Sequence, residues 1–234
     1  MNIALLTAAG KSTRMGTDTP KQFIHVGEYP VIVHTMMAFE KHPEVDAIIV
    51  VTLSHWNDTI TAYAGEYGIT KLKWLAEGGN TNQESIYNGL VELEKHCRKD
   101  DVVIIHDGNR PMVSQEIITD SLATYREHGS AIAAIPCIEA IFRSKDGVES
   151  AKSIPREELF RTQTPHTYSL GHLLEAHRKA SETGVSSTTA TCMLMNELGE
   201  KVYFSKGSDK NLKITVQDDL DIFEALLEKQ LKNS

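Results

Sequence analysis

The chain has 234 residues, 41% of them hydrophobic, and a formal net charge of −8. That size suffices for one large core, while the acidic balance, without any basic stretch, argues against a nucleic-acid partner. Three cysteines, an odd number with no Cys-x-x-Cys pair, suggest a reducing compartment, and the absence of a long apolar run gives no signal segment or membrane span, so a cytoplasmic protein is expected.

Residues 3–8 read as a first buried strand, and the segment AAGKSTRMGTDTPKQF, residues 8–23, follows it. A Walker A loop would need glycine at Leu5, inside the strand, and a dinucleotide fingerprint would need a glycine between Gly10 and Gly16, so neither motif is present. What remains suits a phosphate. Ala8, Ala9 and Gly10 let backbone N–H groups approach an anion closely, and Arg14 and Lys21, the latter stiffened by Pro20, add two cations. The ordinary alternative is a solvated basic turn.

Apolar residues at helical spacing predict helices over residues 31–40, 56–67, 83–95, 115–127 and 169–180. Continuous apolar runs predict strands over 45–52, 101–106 and 130–136. This alternation argues for a parallel sheet covered on both faces. In the third helix Ile86, Leu90 and Leu93 share one face. Before it, EGGNTNQES (residues 77–85) follows a strand and would present free N–H groups with the side chains of Asn80 and Ser85, unless it is a plain strand–helix turn.

In IIHDGNRP (residues 104–111) Asp107 stands at the lip of a strand, where one carboxylate suits Mg²⁺ with ligand phosphates completing the shell. Arg110 pairs with Asp107 or with a ligand; a buried structural Asp–Arg pair is the competing reading. Residues 137–160 are polar, with a turn at Lys145, Asp146 and Gly147, and form either a β-arm or a mobile loop. Arg156 and Arg161 in IPREELFRTQTP read by themselves as surface charge. Lys213 in NLKIT precedes the terminal helix and would otherwise be a snorkelling edge-strand lysine. Asp218 is the expected N-cap of that helix, whose Leu220, Phe223 and Leu227 share a face. The ten histidines form no ligand-like cluster, and no Gly-x-Ser-x-Gly supports a serine hydrolase.

Taken together, AAGKSTRMGTDTPKQF, GGNTNQES, HDGNRP, RTQTP and NLKIT…DDL, in this order and spacing, resemble the polyol-phosphate cytidylyltransferases. That family includes the 2-C-methyl-D-erythritol 4-phosphate and ribitol-5-phosphate enzymes. The resemblance covers essentially the whole chain, and the set is specific where each motif alone is not. It implies an α/β fold: a single domain, residues 1–234, built as a Rossmann-like three-layer sandwich with a mostly parallel sheet, and residues 137–160 as a β-arm that builds a homodimer. It implies Mg²⁺-dependent transfer of CMP from CTP to a polyol phosphate, releasing pyrophosphate. Arg14 and Lys21 match cations that hold the triphosphate, and Lys213 matches the lysine on the α-phosphate. Ala8, Ala9, Gly10, Gly79, Asn80 and Ser85 match nucleotide-binding positions. Asp107 matches the metal-binding aspartate. Arg110 and Thr189 fall on the substrate side, and Arg156 matches an arm arginine that reaches the neighbouring subunit's polyol phosphate.

The family pattern also carries an arginine where this chain has Asn82, Asp-Thr at Glu139 and Ala140, and Thr-Asp at Thr189 and Ala190. The CTP half is thus nearly intact and the polyol half altered. Cys192 and Trp56 lean to the ribitol-phosphate branch, and the Ala8-Ala9-Gly10 start to the methylerythritol branch. CTP is expected over purine nucleotides, because the turn at residues 79–85 suits a small pyrimidine. A second reading is a nucleotide-binding homologue without catalysis, acting as a partner or regulatory protein. The retained Arg14, Lys21, Asp107 and Lys213 argue against it, and the missing glycine fingerprint argues against a nicotinamide dehydrogenase.

Overall fold

The computed structural model describes residues 1–10, 19–185 and 188–232. In chain order the strands are β1 (Asn2–Thr7), β2 (His25–Val26), β3 (Tyr29–Pro30), β4 (Ala47–Thr52), β5 (Leu72–Glu77), β6 (Val102–Asp107), β7 (Ala131–Pro136), β8 (Ile141–Arg143), β9 (Lys152–Ile154), β10 (Phe160–Ser169) and β11 (Phe204–Lys206). The α-helices are α1 (Val31–Glu40), α2 (Asn57–Glu66), α3 (Asn82–Glu94), α4 (Gln115–His128), α5 (Leu170–Thr183), α6 (Thr191–Glu197) and α7 (Gln217–Lys232).

Seven of these strands form one sheet in the order β11-β7-β10-β6-β1-β4-β5. Its neighbours run parallel except around β10, which is antiparallel to both β6 and β7. Strands β1, β4 and β6 are apolar through their middles because both of their faces are covered: every residue of AIIVVT in β4 is buried. One face packs Leu5, Ile49 and Val103 against Leu90 of α3 and Leu173 of α5. The other packs Leu6, Val50 and Ile104 against Phe39 of α1 and Ile118 of α4. A smaller cluster seats α7 through Leu220 and Phe223 against Val26, Val31 and Ile214. The result is the expected three-layer α/β sandwich with a mostly parallel sheet.

Helix starts follow from local chemistry. Thr81, Ser114 and Ser169 each accept a hydrogen bond from the backbone N–H three residues on, and Gly129 and Gly184 end α4 and α5 in the left-handed region. The expected N-cap of α7 is corrected. Asp218 lies inside the first turn, and the Asp219 carboxylate instead accepts from the backbone N–H groups of Thr215 (2.6 Å) and Val216 (2.9 Å). Within residues 137–160, β8 and β9 pair antiparallel, the strand pair that the β-arm reading expects. The ten-residue strand β10, with a register shift between Thr162 and His166, was not foreseen. Among the described residues no helix is long and apolar enough to cross a membrane.

Candidate functional site

Strands β1 and β6 are neighbours, and their register sets Thr7 opposite Asp107 at their carboxyl ends. That is where open α/β sheets bind ligands. The Asp107 backbone N–H is fixed by the Thr164 hydroxyl of β10 at 3.0 Å. Its carboxylate receives Arg110 Nε on one oxygen (2.9 Å) and Lys213 Nζ on the other (3.0 Å). The Asp107 and Arg110 side chains are only 11% and 12% exposed, whereas Lys213 is 44% exposed. Burial alone would push the Asp107 carboxyl up, but the Lys213 and Arg110 charges and their hydrogen bonds overcome it and hold the group well below the usual carboxylate range. The Asp–Arg pair therefore exists, and it lies within the candidate site.

Lys213 is not on an edge strand. It sits in the connection between β11 and α7, and that connection is pinned on both sides of it. Arg110 Nη1 donates to the Asn211 carbonyl (2.7 Å), and the Asn211 amide donates to the Thr164 carbonyl (2.8 Å). The Ile214 N–H donates to the Asn109 carbonyl (2.9 Å), and the Asn109 amide donates back to the Ile214 carbonyl. Lys213 thus reaches Asp107 from a backbone bolted to the β6 loop and to β10. Asn109, Thr164 and Asn211 were not singled out in the sequence, because nothing local marks hydrogen bonds that span 47 to 105 residues.

The loops after β1 and β5 touch. A Cβ on Gly78 would lie 2.2 Å from the Ala9 Cβ, so only glycine allows the approach. Gln22, a further unforeseen residue, is buried in the short 3₁₀ turn that begins at Lys21. Its amide donates to the carbonyls of Ala8 (2.7 Å) and Gly10 (3.2 Å), shaping the loop from behind. Arg14 lies outside the described residues. The expectation of free N–H groups after β5 is corrected. The Gly79 N–H donates to the Ser85 hydroxyl (3.0 Å), and the Asn80 N–H donates to the Glu84 carboxylate (2.8 Å). The sequence held a signal for half of this: Thr81-x-x-Glu84 is a capping-box pattern, the Thr81 hydroxyl accepts from the Glu84 N–H, and the Glu84 carboxylate takes the Asn80 N–H, while the Gly79 donor goes to Ser85 outside that pattern.

A cleft of about 90 Å³ opens beside Asp107, walled by Arg110, Lys213, Asn82, Thr189 and Ala190, with the β10 segment from Thr162 to His166 at its back. The structure therefore gathers Asp107, Arg110, Lys213 and Thr189 with both Asn82 and Ala190, the positions where the family pattern is altered. Ala8, Ala9, Gly10, Gly79 and Asn80 lie on the adjacent strand-end loops. Ser85 is buried at the start of α3, with its hydroxyl donating to the Thr81 carbonyl. Arg156 is not in the cleft of its own chain: it stands on the arm, donating to the Ile138 carbonyl at 3.1 Å, while Arg161 pairs with Asp209. Two buried imidazoles flank Asp107. Burial pushes His106 and His166 down to about 4, so both are neutral at physiological pH.

The family model described as 2-C-methyl-D-erythritol 4-phosphate cytidylyltransferase (IspD) matches residues 2–229. A ribitol-5-phosphate cytidylyltransferase from Lacticaseibacillus paracasei is 39% identical, over 99% of this chain and 100% of its own. A 2-C-methyl-D-erythritol 4-phosphate cytidylyltransferase from Clostridium botulinum is 34% identical, over 97% and 98%. The crystal structure of a 4-diphosphocytidyl-2C-methyl-D-erythritol synthase from Anaerococcus prevotii superposes with a TM-score of 0.82 at 25% identity, covering 97% of this chain and 96% of that one.

Proposed function

This chain belongs to the 2-C-methyl-D-erythritol 4-phosphate cytidylyltransferase (IspD) family, and we propose that it moves CMP from CTP onto the phosphate of a polyol phosphate, releasing pyrophosphate. The carboxylate–arginine–lysine cluster of Asp107, Arg110 and Lys213 at the end of β6 carries this reading. It offers fixed positive charge where a triphosphate would lie, at the ligand-binding end of the sheet.

In the reaction an oxygen of the acceptor phosphate bonds to the α-phosphorus of CTP. The bond from that phosphorus to the bridging oxygen breaks, and pyrophosphate leaves with its electron pair. A phosphate dianion is already nucleophilic, so no general base is needed. The protein's part is positioning and charge stabilisation: Lys21 and Arg14 on the triphosphate, Lys213 on the α-phosphate. Lys213 is the most exposed member of the cluster and contacts Asp107 at 3.0 Å. Arg110 and the Asn109 and Asn211 bonds keep its backbone in place.

The donor set suits a nucleotide-borne Mg²⁺ better than a caged one. Among the described residues no group of three His, Cys, Asp or Glu side chains could hold a metal, but Asp107 supplies one hard, fully ionised carboxylate. Mg²⁺ commonly takes one or two carboxylates and completes its shell with phosphates and water. Asp107 would hold the ion, which when bound neutralises triphosphate charge.

For the acceptor, ribitol 5-phosphate is favoured over 2-C-methyl-D-erythritol 4-phosphate. The L. paracasei relative is named for the former, and neutral Asn82 and Ala190 line the cleft. The enzyme is a cytoplasmic homodimer in this reading. Ile138, Phe142 and Val148 of the arm are 68%, 61% and 88% exposed, a set of apolar side chains that a second copy would cover. Arg156, beside them, would then serve the partner's polyol phosphate. A pyrophosphate-release screen with Mg²⁺, each of CTP, ATP and GTP, and a panel of polyol phosphates tests the proposal. Release with CTP and a linear polyol phosphate supports it, and release with no acceptor in the panel, or equally with all three nucleotides, overturns it.

A further inference from the structure

The acceptor side of the cleft is walled by Thr189 and Ala190, which lead into α6. The N-cap of α6 is Ala190, which has no side-chain oxygen to cap the helix. Its support comes instead from α3, a helix capped by Thr81 and fastened to the core by Ile86, Leu90 and Leu93. Gln83, half-buried on the first turn of α3, makes three hydrogen bonds to chain more than 100 residues away. Its Oε1 accepts from both the backbone N–H and the hydroxyl of Thr188, each at 2.9 Å. Its Nε2 donates to the Val185 carbonyl at 3.2 Å. One carboxamide thus uses both ends, acceptor and donor, to grip Val185 and Thr188. Asn82, one residue earlier, adds a single longer bond to the Thr189 carbonyl at 3.3 Å.

We propose that Gln83 is a positioning residue for acceptor specificity: by clamping Val185 and Thr188 it sets Thr189 and Ala190 at the distance from Asp107 and Lys213 that fits a polyol phosphate. Gln83 does not line the cleft, so it acts through the segment it holds. This rests on the cytidylyltransferase reading above. It singles out a residue whose loss loosens the acceptor half and spares the CTP half, since the loops after β1 and β5 are held by their own contacts, Gln22 on Ala8 and Ser85 on Gly79.

The test uses Gln83→Leu, which fills a similar volume without hydrogen bonds, and Gln83→Glu, which keeps the acceptor towards Thr188 and loses the donor towards Val185. Two readouts are needed. Hydrogen exchange at the Thr188 amide reports positioning without requiring turnover, and KM values for ribitol 5-phosphate and CTP report function. In Gln83→Leu the Thr188 amide should exchange at least about tenfold faster, a bond's worth of lost protection. The acceptor KM should rise about tenfold, with the CTP KM within about twofold and Gln83→Glu intermediate. Unchanged exchange overturns the positioning role whatever the activity. Faster exchange with an unmoved acceptor KM, or with both KM values raised alike, overturns its link to specificity. A wild-type protein that turns over no polyol phosphate refutes the proposed function instead, and the exchange measurement still decides whether Gln83 holds the segment.

Discussion

Arg110→Ala should be the most informative single change to the Asp107 cluster. The guanidinium makes two contacts, Nε to Asp107 at 2.9 Å and Nη1 to the Asn211 carbonyl at 2.7 Å, and both partners in the ion pair are nearly buried. Removing one member of such a pair typically costs about 3–5 kcal/mol, because the other charge stays behind without compensation. Lys213 remains on the opposite carboxylate oxygen, so the lower end applies, about 3 kcal/mol. For a chain of this size each kcal/mol shifts Tm by about 2–4 °C, giving a fall of about 6–12 °C by calorimetry. The pH dependence distinguishes the mechanism from a simple packing loss. The folded pKa of Asp107 is depressed, so its ionised form contributes stability that is fully present above the unfolded value, about 3.9, and is lost as pH falls through the folded value. Without Arg110 the folded pKa rises and that contribution shrinks. The deficit of the variant should therefore be largest near neutral pH and should narrow on the acid side of about pH 4. Arg110→Lys keeps the charge but cannot span both partners, and should fall between. A Tm loss under about 2 °C, or a deficit that does not change between about pH 7 and pH 3, would show that the pair does not hold this site together.

Lys21→Ala and Arg14→Ala should each lower kcat by at least about 10²-fold, the scale for losing a charge contact to the transition state, while circular dichroism stays native. Near-normal turnover in either would count against its role. Gly78→Ala should raise the CTP KM and cost about 1–3 kcal/mol by overpacking. The added Cβ would meet the Ala9 Cβ at 2.2 Å, so Ala9→Gly should rescue it; failure of the double variant to recover denies the loop contact. Phe142→Glu combined with Val148→Asp should convert a dimer to a monomer in sedimentation velocity, and a wild-type monomer with full activity would remove both the arm interface and the role of Arg156 across it.

Much of the fold was legible because the apolar periodicity is strong where both faces of the sheet are covered. Residues 31–40 match α1 at both ends, and the strand expected over 45–52 became Ala47–Thr52. Strand β10 escaped notice for a physical reason. Its first three residues, Phe160 to Thr162, are exposed beside the arm, and the continuously buried run, Pro165 to Tyr168, mixes a proline and the polar His166 and Thr167 with Tyr168, so it carries no apolar strand signature. The charged groups of the site were legible as residue types, Asp107 and Arg110 at a strand end and Lys213 ahead of the terminal helix. The Arg110–Asp107 pair was legible too, but the amides that hold the site were not. Gln22, Gln83, Asn109 and Asn211 act through amides that reach across 12 to 105 residues, and no local pattern encodes such a bond. The donor of Asn80 illustrates the opposite case, where a local pattern, Thr81 to Glu84, was present and supplies the carboxylate that takes it.

The central claim is that CMP is transferred to an acceptor phosphate rather than to water or to nothing. Phosphorus-31 NMR of the protein incubated with CTP, Mg²⁺ and ribitol 5-phosphate reads this directly. The account predicts that the acceptor's monophosphate resonance disappears as a coupled pair of diphosphate resonances grows, with one inorganic pyrophosphate formed per diphosphate ester, and that Lys213→Ala slows both together. Release of pyrophosphate with CMP and no new diphosphate ester, or CTP left intact in the presence of the acceptor, would contradict it.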